Sequence, residues 1–366
     1  MNKMTRRIAA ALLAVIVLLG TSCAYAGSSS DEMIITMTGD LMCETMYQQD
    51  LYDEEDGSYH FDQTFKYVQK YFDESDFTVG NLETCVAPGK IMSIDLRYKD
   101  DKPYMNAPEE YLRALKRAGF DGLILANNHT LDTGISGLRK TIKAVREEGF
   151  KQTGLYLSKK SKHYFILQKN DIRVAFLGYA TYYNNRDHKL TKAKQKKYLS
   201  KFSEKRLKAD IKAAKKAGAN YIVAYMHAGT ENTYNVNDRQ KKIARIMAKN
   251  GVDFIVGSHP HCLQKKGIIK YKGRKVPVVY SMGNFTGKLK RDLTRETALV
   301  RITLKKNANG KVSLKNRKFI PVFMADRWEG EKMVLIPEGY KAKNMDDQKT
   351  LDDHFTHIRD ILNDDL

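Results

Sequence analysis

Cysteine is scarce in this chain, acidic residues are in deficit, and extended apolar runs are almost absent. Four cysteines occur in 366 residues, and none has the paired spacing of a thiolate metal site, so a Cys-type zinc centre is excluded. No proline- or glycine-rich linker and no internal repeat interrupts the sequence, which leaves a single domain as the expected organisation. The longest uninterrupted apolar run is residues 8–19, and twelve residues are too few to span a bilayer. Asp and Glu number 43 against 63 Lys and Arg, giving a formal charge of +20. Such an excess favours an anionic partner: a nucleic acid, an anionic membrane or cell-wall surface, or a polyanionic substrate. The densest basic stretch, Arg186 to Lys216, has neither the aromatic interleaving nor the module of a nucleic-acid binder, so nucleic acid is not the expected partner. Its lysines at 205, 208, 212, 215 and 216 follow a helical pattern around Leu207, Ile211 and Ala214, which fits a solvated helix face.

What is present begins with a secretion signal. Lys3, Arg6 and Arg7 precede the apolar run, and Ala24-Tyr25-Ala26 supplies a small-x-small cleavage site. Residues 1–26 are the expected signal peptide, and 27–32, with Ser28-Ser29-Ser30, a short tether. Lipidation at Cys23 or an uncleaved membrane anchor are the alternatives. Removing residues 1–26 takes away three positive and no negative charges, so +17 remains on the mature chain. The protein is expected to be extracytoplasmic, secreted or held at the cell surface. In an oxidising compartment Cys43 and Cys85 are candidates for a disulfide.

From residue 33 to 366 a pattern recurs: a short apolar strand, a polar cluster, then an amphipathic helix. Strands are expected at 33–37, 122–125, 221–226, 253–256 and 275–280, and helices at about 62–72, 135–148 and 238–248, with another opened by Pro108. Residues 164–168 and 172–177 read as a hairpin. From Ala298 onward the pattern turns to β, with strands at 299–304 and 312–320, before a final helix near 346–362. An α/β domain with a β-rich second layer is the fold class these elements imply.

The polar clusters sit where strands end, and open α/β sheets bind ligands at that edge. Gly257-Ser258-His259-Pro260-His261 places two imidazoles one residue apart after a buried strand. With Asp40, Glu83, Asn128, His129 and His227 they make two carboxylates, an amide and four imidazoles. That inventory suits two divalent cations bridged by a carboxylate. Singly, each has an ordinary reading: Gly39-Asp40 as a turn, Asn127-Asn128-His129 as a helix cap, His227 as a hydrogen-bonded core residue. Five coincidences at strand ends make the ordinary readings hard to sustain together.

In order along the chain, Gly39-Asp40, Gly80-Asn81-Leu82-Glu83, Ala126-Asn127-Asn128-His129, His227-Ala228-Gly229-Thr230-Glu231, the His-Pro-His segment and Tyr280-Ser281-Met282-Gly283-Asn284-Phe285 resemble the CapA family of poly-γ-glutamate capsule biosynthesis proteins. The domain of that family is similar to the calcineurin-like metallophosphatases. The resemblance implies a four-layer α/β/β/α sandwich and a role in making or exporting an anionic polymer, with a membrane-bound synthesis machinery as partner. It further implies that Asp40 and His261 hold a first metal, that Glu83 bridges, and that Asn128, His227 and His259 hold a second. His129 is then the general acid, and Asn81, Glu231 and Asn284 support the site. One or two divalent ions per chain are expected, with zinc, manganese and iron all compatible. Two departures weaken the first position: Met42 stands where metallophosphatases carry a histidine, and the bridging acid is Glu instead of Asp. Three readings follow: a CapA-like protein with a metal-dependent hydrolase site, a secreted phosphoesterase, and a non-catalytic polymer-binding component.

Overall fold

The structure is a computed structural model and describes residues 31–99 and 101–363. The expected signal peptide, Cys23 and residues 27–30 of the tether lie outside the described residues. No helix among the described residues is long and apolar enough to cross a membrane.

Strands β1 (Glu32–Leu41), β2 (Phe77–Leu82), β3 (Gly122–Ile124) and β4 (Lys151–Thr153) run parallel at one side of a first sheet. The chain then builds a second sheet from β5 (Phe165–Lys169), β6 (Ile172–Ala180), β7 (Tyr221–His227), β8 (Phe254–Ser258), β9 (Leu263–Tyr271) and β10 (Arg274–Met282). It returns to the first sheet with β11 (Asn284–Thr286), β12 (Glu296–Lys306), β13 (Val312–Trp328) and β14 (Glu331–Pro337). The first sheet has the order β14-β13-β12-β1-β2-β3-β4, with β11 beside the end of β1; the second has the order β9-β10-β8-β7-β6-β5.

Alternation along the strands assigns the layers. Val174, Phe176, Val223, Tyr225 and Val256 point into a core shared with the first sheet. Their neighbours Ala175, Leu177, Ala224, Met226 and Ile255 pack on Leu207, Ile211, Ile243 and Met247 of the helices Glu204–Lys216 and Asp238–Lys249. With both faces buried, these strands read as nearly continuous apolar runs. Tyr111, Leu115, Leu138 and Ile142, from the helices Glu109–Arg117 and Gly134–Glu147, join the core of the first sheet. The result is the expected layering of two sheets between helices. Tyr225 crosses between the sheets, donating from its hydroxyl toward the carbonyls of Thr38 at 3.3 Å and Val79 at 3.2 Å.

Several expectations are corrected. The helix anticipated at 62–72 is a 3-10 turn at Phe61–Phe65 followed by a short helix at Gln69–Asp73. Aromatic packing overrides the periodicity there, since Phe61 stacks on Tyr47 and Tyr59 while Phe65 and Phe72 meet Phe120. β1 continues through Asp40, which lies within the strand and not in a turn. Cys43 and Cys85 are buried free thiols. Cys85 instead donates to the carbonyl of His129 at 3.3 Å, and Cys43 belongs to the main core. The lysines of the basic helix are exposed, as a solvated face requires.

Two glycines set how closely strand ends approach. A Cβ on Gly39 would stand 2.0 Å from the Gly283 carbonyl oxygen, and one on Gly257 would stand 1.8 Å from that of Tyr280. Gly257→Ala is therefore expected to destabilise the protein by on the order of 3 kcal/mol, read as a lower urea midpoint in chelator.

Candidate metal centre

Register brings the polar groups together. Asp40 of β1 pairs with Asn81 of β2 on one side and Asn284 of β11 on the other, so three polar side chains share the C-terminal edge of the first sheet. His227 of β7 pairs with Ser258 of β8 at the matching edge of the second. Asn81 donates from Nδ2 to Asp40 Oδ1 at 2.7 Å, and the backbone N–H of His259 donates to Asp40 Oδ2 at 3.0 Å. Both Asp40 oxygens are thus held, and one of them anchors the histidine-bearing loop.

That loop is bent hard. His259 and His261 have φ of 97° and 62°, a region costing about 1–3 kcal/mol for such residues. The twist turns both imidazoles inward, where Asn284 Oδ1 accepts from His261 Nδ1 at 2.9 Å. On the first sheet, the turn Asn128–Leu131 is capped by Asn127, whose own Nδ2 donates to the Leu82 carbonyl at 2.7 Å. The capping role foreseen for this segment belongs to Asn127, which frees Asn128 and His129 to face the site. Asn128 Oδ1 lies 2.7 Å from His227 Nε2, and Ser258 Oγ lies 2.8 Å from His227 Nδ1.

Glu83 lies between these groups, fully buried. Asp40, Glu83 and His261 form one cluster whose ligand atoms lie within 4.8 Å of one another; Glu83, His227 and His259 form another. Neither Glu83 oxygen accepts a hydrogen bond, although His227 Nε2 is 3.4 Å from Oε1, and His259 Nδ1 is also buried without a partner. Buried carboxylates and imidazoles without partners fit a cation: the donor set and the orphaned atoms agree. Met42, buried at the side of the cavity, offers the first cluster no oxygen or nitrogen donor. Glu231 reaches only to 4.0 Å from His259 Nε2 and stays half exposed.

Electrostatics follow from burial. Desolvation, then the neighbouring Glu83, push Asp40 up to about 7, and Glu83 is raised by desolvation. Desolvation lowers His227 to about 3 and His259 well below its ordinary value, which favours the neutral imidazole, the form able to bind a metal. His129 moves the other way. Burial opposes its protonation, but the Asp132 carboxylate, which accepts from Nδ1 at 2.7 Å, outweighs it together with Glu83 and Glu231. Asp132 was not among the residues singled out by sequence, although an acid three residues after His129 on a helical turn was a usable signal. Arg186, which donates to Asp132 Oδ1 at 2.8 Å, and Asn184, which accepts from Asn128 Nδ2 at 3.2 Å, carried no such signal.

A family model described as bacterial capsule synthesis protein PGA_cap matches residues 34–288. The chain belongs to this family. The capsule biosynthesis protein CapA of Bacillus anthracis is 31% identical over 283 residues, which cover 76% of this chain and 65% of that protein. The PGA biosynthesis protein CapA of Bacillus subtilis (strain 168) is 30% identical over 292 residues, covering 77% and 70%. The chain therefore spans about two thirds of these curated relatives. Among solved structures, the NAD nucleotidase of Haemophilus influenzae superposes with a TM-score of 0.50 at 14% identity, covering 89% of this chain and 62% of that one. This likeness is one of fold, that of the metallo-dependent phosphatases.

A titration follows from the Asp40 environment. Folded Asp40 keeps its proton up to about pH 7, whereas the unfolded carboxyl releases it near 3.8. The folded state thus binds more protons in between, and this group's contribution to stability falls as pH rises through that window. In chelator, Asp40→Asn is expected to gain stability relative to wild type as pH rises from ~4 to ~7. With a divalent cation added, the order reverses. Thermal melts of both proteins check this.

Proposed function

We propose that this chain works outside the cytoplasm in the synthesis or export of an anionic capsule polymer, as a metal-dependent hydrolase. Its centre consists of Asp40, Glu83, Asn128, His227, His259 and His261, with Asn81, Asn284 and Glu231 in support. The carrying observation is Glu83: a buried carboxylate with two unclaimed oxygens, shared by two ligand clusters. Family membership and the word PGA in the name of the Bacillus subtilis relative support the polymer. The formal charge of +20 is consistent with it.

Bound divalent cations, zinc, manganese or iron, would supply Lewis-acid polarisation and neutralise charge on a substrate oxyanion. The remaining chemistry belongs to side chains. Asp132 holds the Nδ1 proton of His129, so Nε2 is the atom that delivers a proton to the leaving group. Arg186 fixes Asp132 from the second sheet, and the backbone N–H of Met105 donates to the same carboxylate at 2.8 Å. His129, Asn128 and His261 line one cavity, so acid and ligands face a common space.

A second reading, a non-catalytic polymer-binding component, is favoured by Met42, which leaves the first cluster with three protein donors. Hydrolysis assays on γ-linked glutamate polymer and on a generic phosphodiester separate the readings. The hydrolase reading predicts manganese-dependent turnover of the glutamate polymer, reduced about 100-fold or more in His129→Ala while cation binding is retained. Turnover of the phosphodiester alone would point to a secreted phosphoesterase. Polymer binding without turnover would replace the leading reading with the second.

A further inference from the structure

The cavity beside the centre has a volume of about 340 Å³, and its chemistry changes from the inner end outward. At the inner end, next to Asn128, His129 and His261, stands Asn184 on the turn after β6. Its carbonyl oxygen accepts from Asn128 Nδ2, which orients the Asn128 oxygen toward His227. Its own Nδ2 has no partner, although the residue is only 5% exposed. A buried amide donor without an acceptor is costly, by ~1–3 kcal/mol, so the geometry calls for an acceptor inside the cavity.

The outer walls are cationic. One is the two-stranded ribbon Tyr98–Lys99 with Lys102–Pro103, which carries Lys102 and follows Arg97. The other is the loop after β11, with Lys290 and Arg291. None of these four makes an ion pair among the described residues. Lys288 is different: its Nζ lies 2.6 Å from Asp50 Oδ2 and 3.6 Å from Asp326 Oδ2. Two acids line the cavity against these four cations. Glu44 accepts from the backbone N–H groups of Tyr47 and Lys288 through Oε1 and keeps a buried Oε2 without a partner, and Glu231 stands beside His259.

A small monoanion needs only the inner end and leaves four cations on two walls without a purpose. A linear chain bearing regularly spaced anions occupies both. The volume is at the low end for small-molecule sites, so such a chain fills the cavity with a few units and leaves between the walls. We infer that this cavity is a groove for a linear polyanion. Asn184 Nδ2 donates to an oxygen at the inner end, and Arg97, Lys102, Lys290 and Arg291 hold the anionic groups that follow. The inference rests on the polymer-directed reading above and deepens it, assigning specificity to residues outside the ligand clusters.

The test uses the full chain loaded with manganese, and fluorescence anisotropy over a salt series. The probes are labelled γ-linked glutamate oligomers of two, five and ten residues, and linear polyphosphates of matching length. Affinity is expected to rise with length and then level off. The Lys290→Ala, Arg291→Ala double variant should weaken the ten-residue oligomer about 10-fold or more and flatten its salt dependence, while the two-residue oligomer changes little. Asn184→Ala should weaken all lengths by about 10-fold with the salt dependence unaltered. These wall residues are solvent-facing, so their removal spares the fold. If glutamate oligomers bind and the wall variants match wild type in affinity and salt response, the groove is refuted while the polymer reading survives. If polyphosphate alone binds with length and wall dependence, the groove stands and the glutamate-polymer reading falls. If neither polyanion gains affinity with length, the groove is refuted outright.

Discussion

A carboxylate sealed from water with neither oxygen hydrogen-bonded is among the costlier arrangements a fold can hold, several kcal/mol when no counter-charge compensates it. Glu83 is such a group, and the surrounding structure is organised about it. Its backbone N–H donates to the Leu41 carbonyl at 3.0 Å, fixing it just beyond β2 against the end of β1. Imidazoles from the second sheet approach from across the inter-sheet edge, and their desolvation keeps His227 and His259 neutral. Lone pairs and buried carboxylates thus converge, and the same carboxylates favour the protonated forms of His261 and His129. A divalent cation held by either cluster would take up these lone pairs.

The architecture supplies what such a centre needs. Parallel strands from two sheets end at one edge, so side chains far apart in sequence meet without long connecting loops. Gly39 and Gly257 let strand ends approach where any side chain would collide. The strain at His259 and His261 is held by Asp40 and Asn284, whose hydrogen bonds would be lost if the loop relaxed. Asp132 and Arg186 perform a similar task for His129, joining a turn of the first sheet to a loop of the second. The cavity opens from this rigid base between two basic walls, which connects the centre to the charge excess of the whole chain.

Much of this was legible in the sequence because the cues are local. Apolar runs ending in Asp40, His227 or the His-Pro-His segment mark strand ends, and the parallel α/β pattern predicts that those ends converge. The less legible parts depend on distant contacts or masked periodicity. β9 has lysines at 265, 266 and 270 along an edge strand, which obscures its alternation. Asn184 lies in a turn and Arg186 opens a short 3-10 helix, Arg186–Lys189, after β6, and only the packing of the two sheets brings them to Asn128 and Asp132. Cys43 and Cys85 follow motif residues closely, yet the Cys85 side chain is turned to the carbonyl of His129 instead of another thiol.

The central claim is that Glu83 is shared by two cations, and Glu83→Gln tests it directly because the amide keeps the volume and removes the charge. Bound metal per chain, counted by plasma mass spectrometry after manganese loading and desalting, is the measurement. Two ions in wild type, with both lost or greatly weakened in the variant, is the predicted result. Undiminished metal in Glu83→Gln, or none in wild type after loading with zinc, manganese or iron, would contradict it.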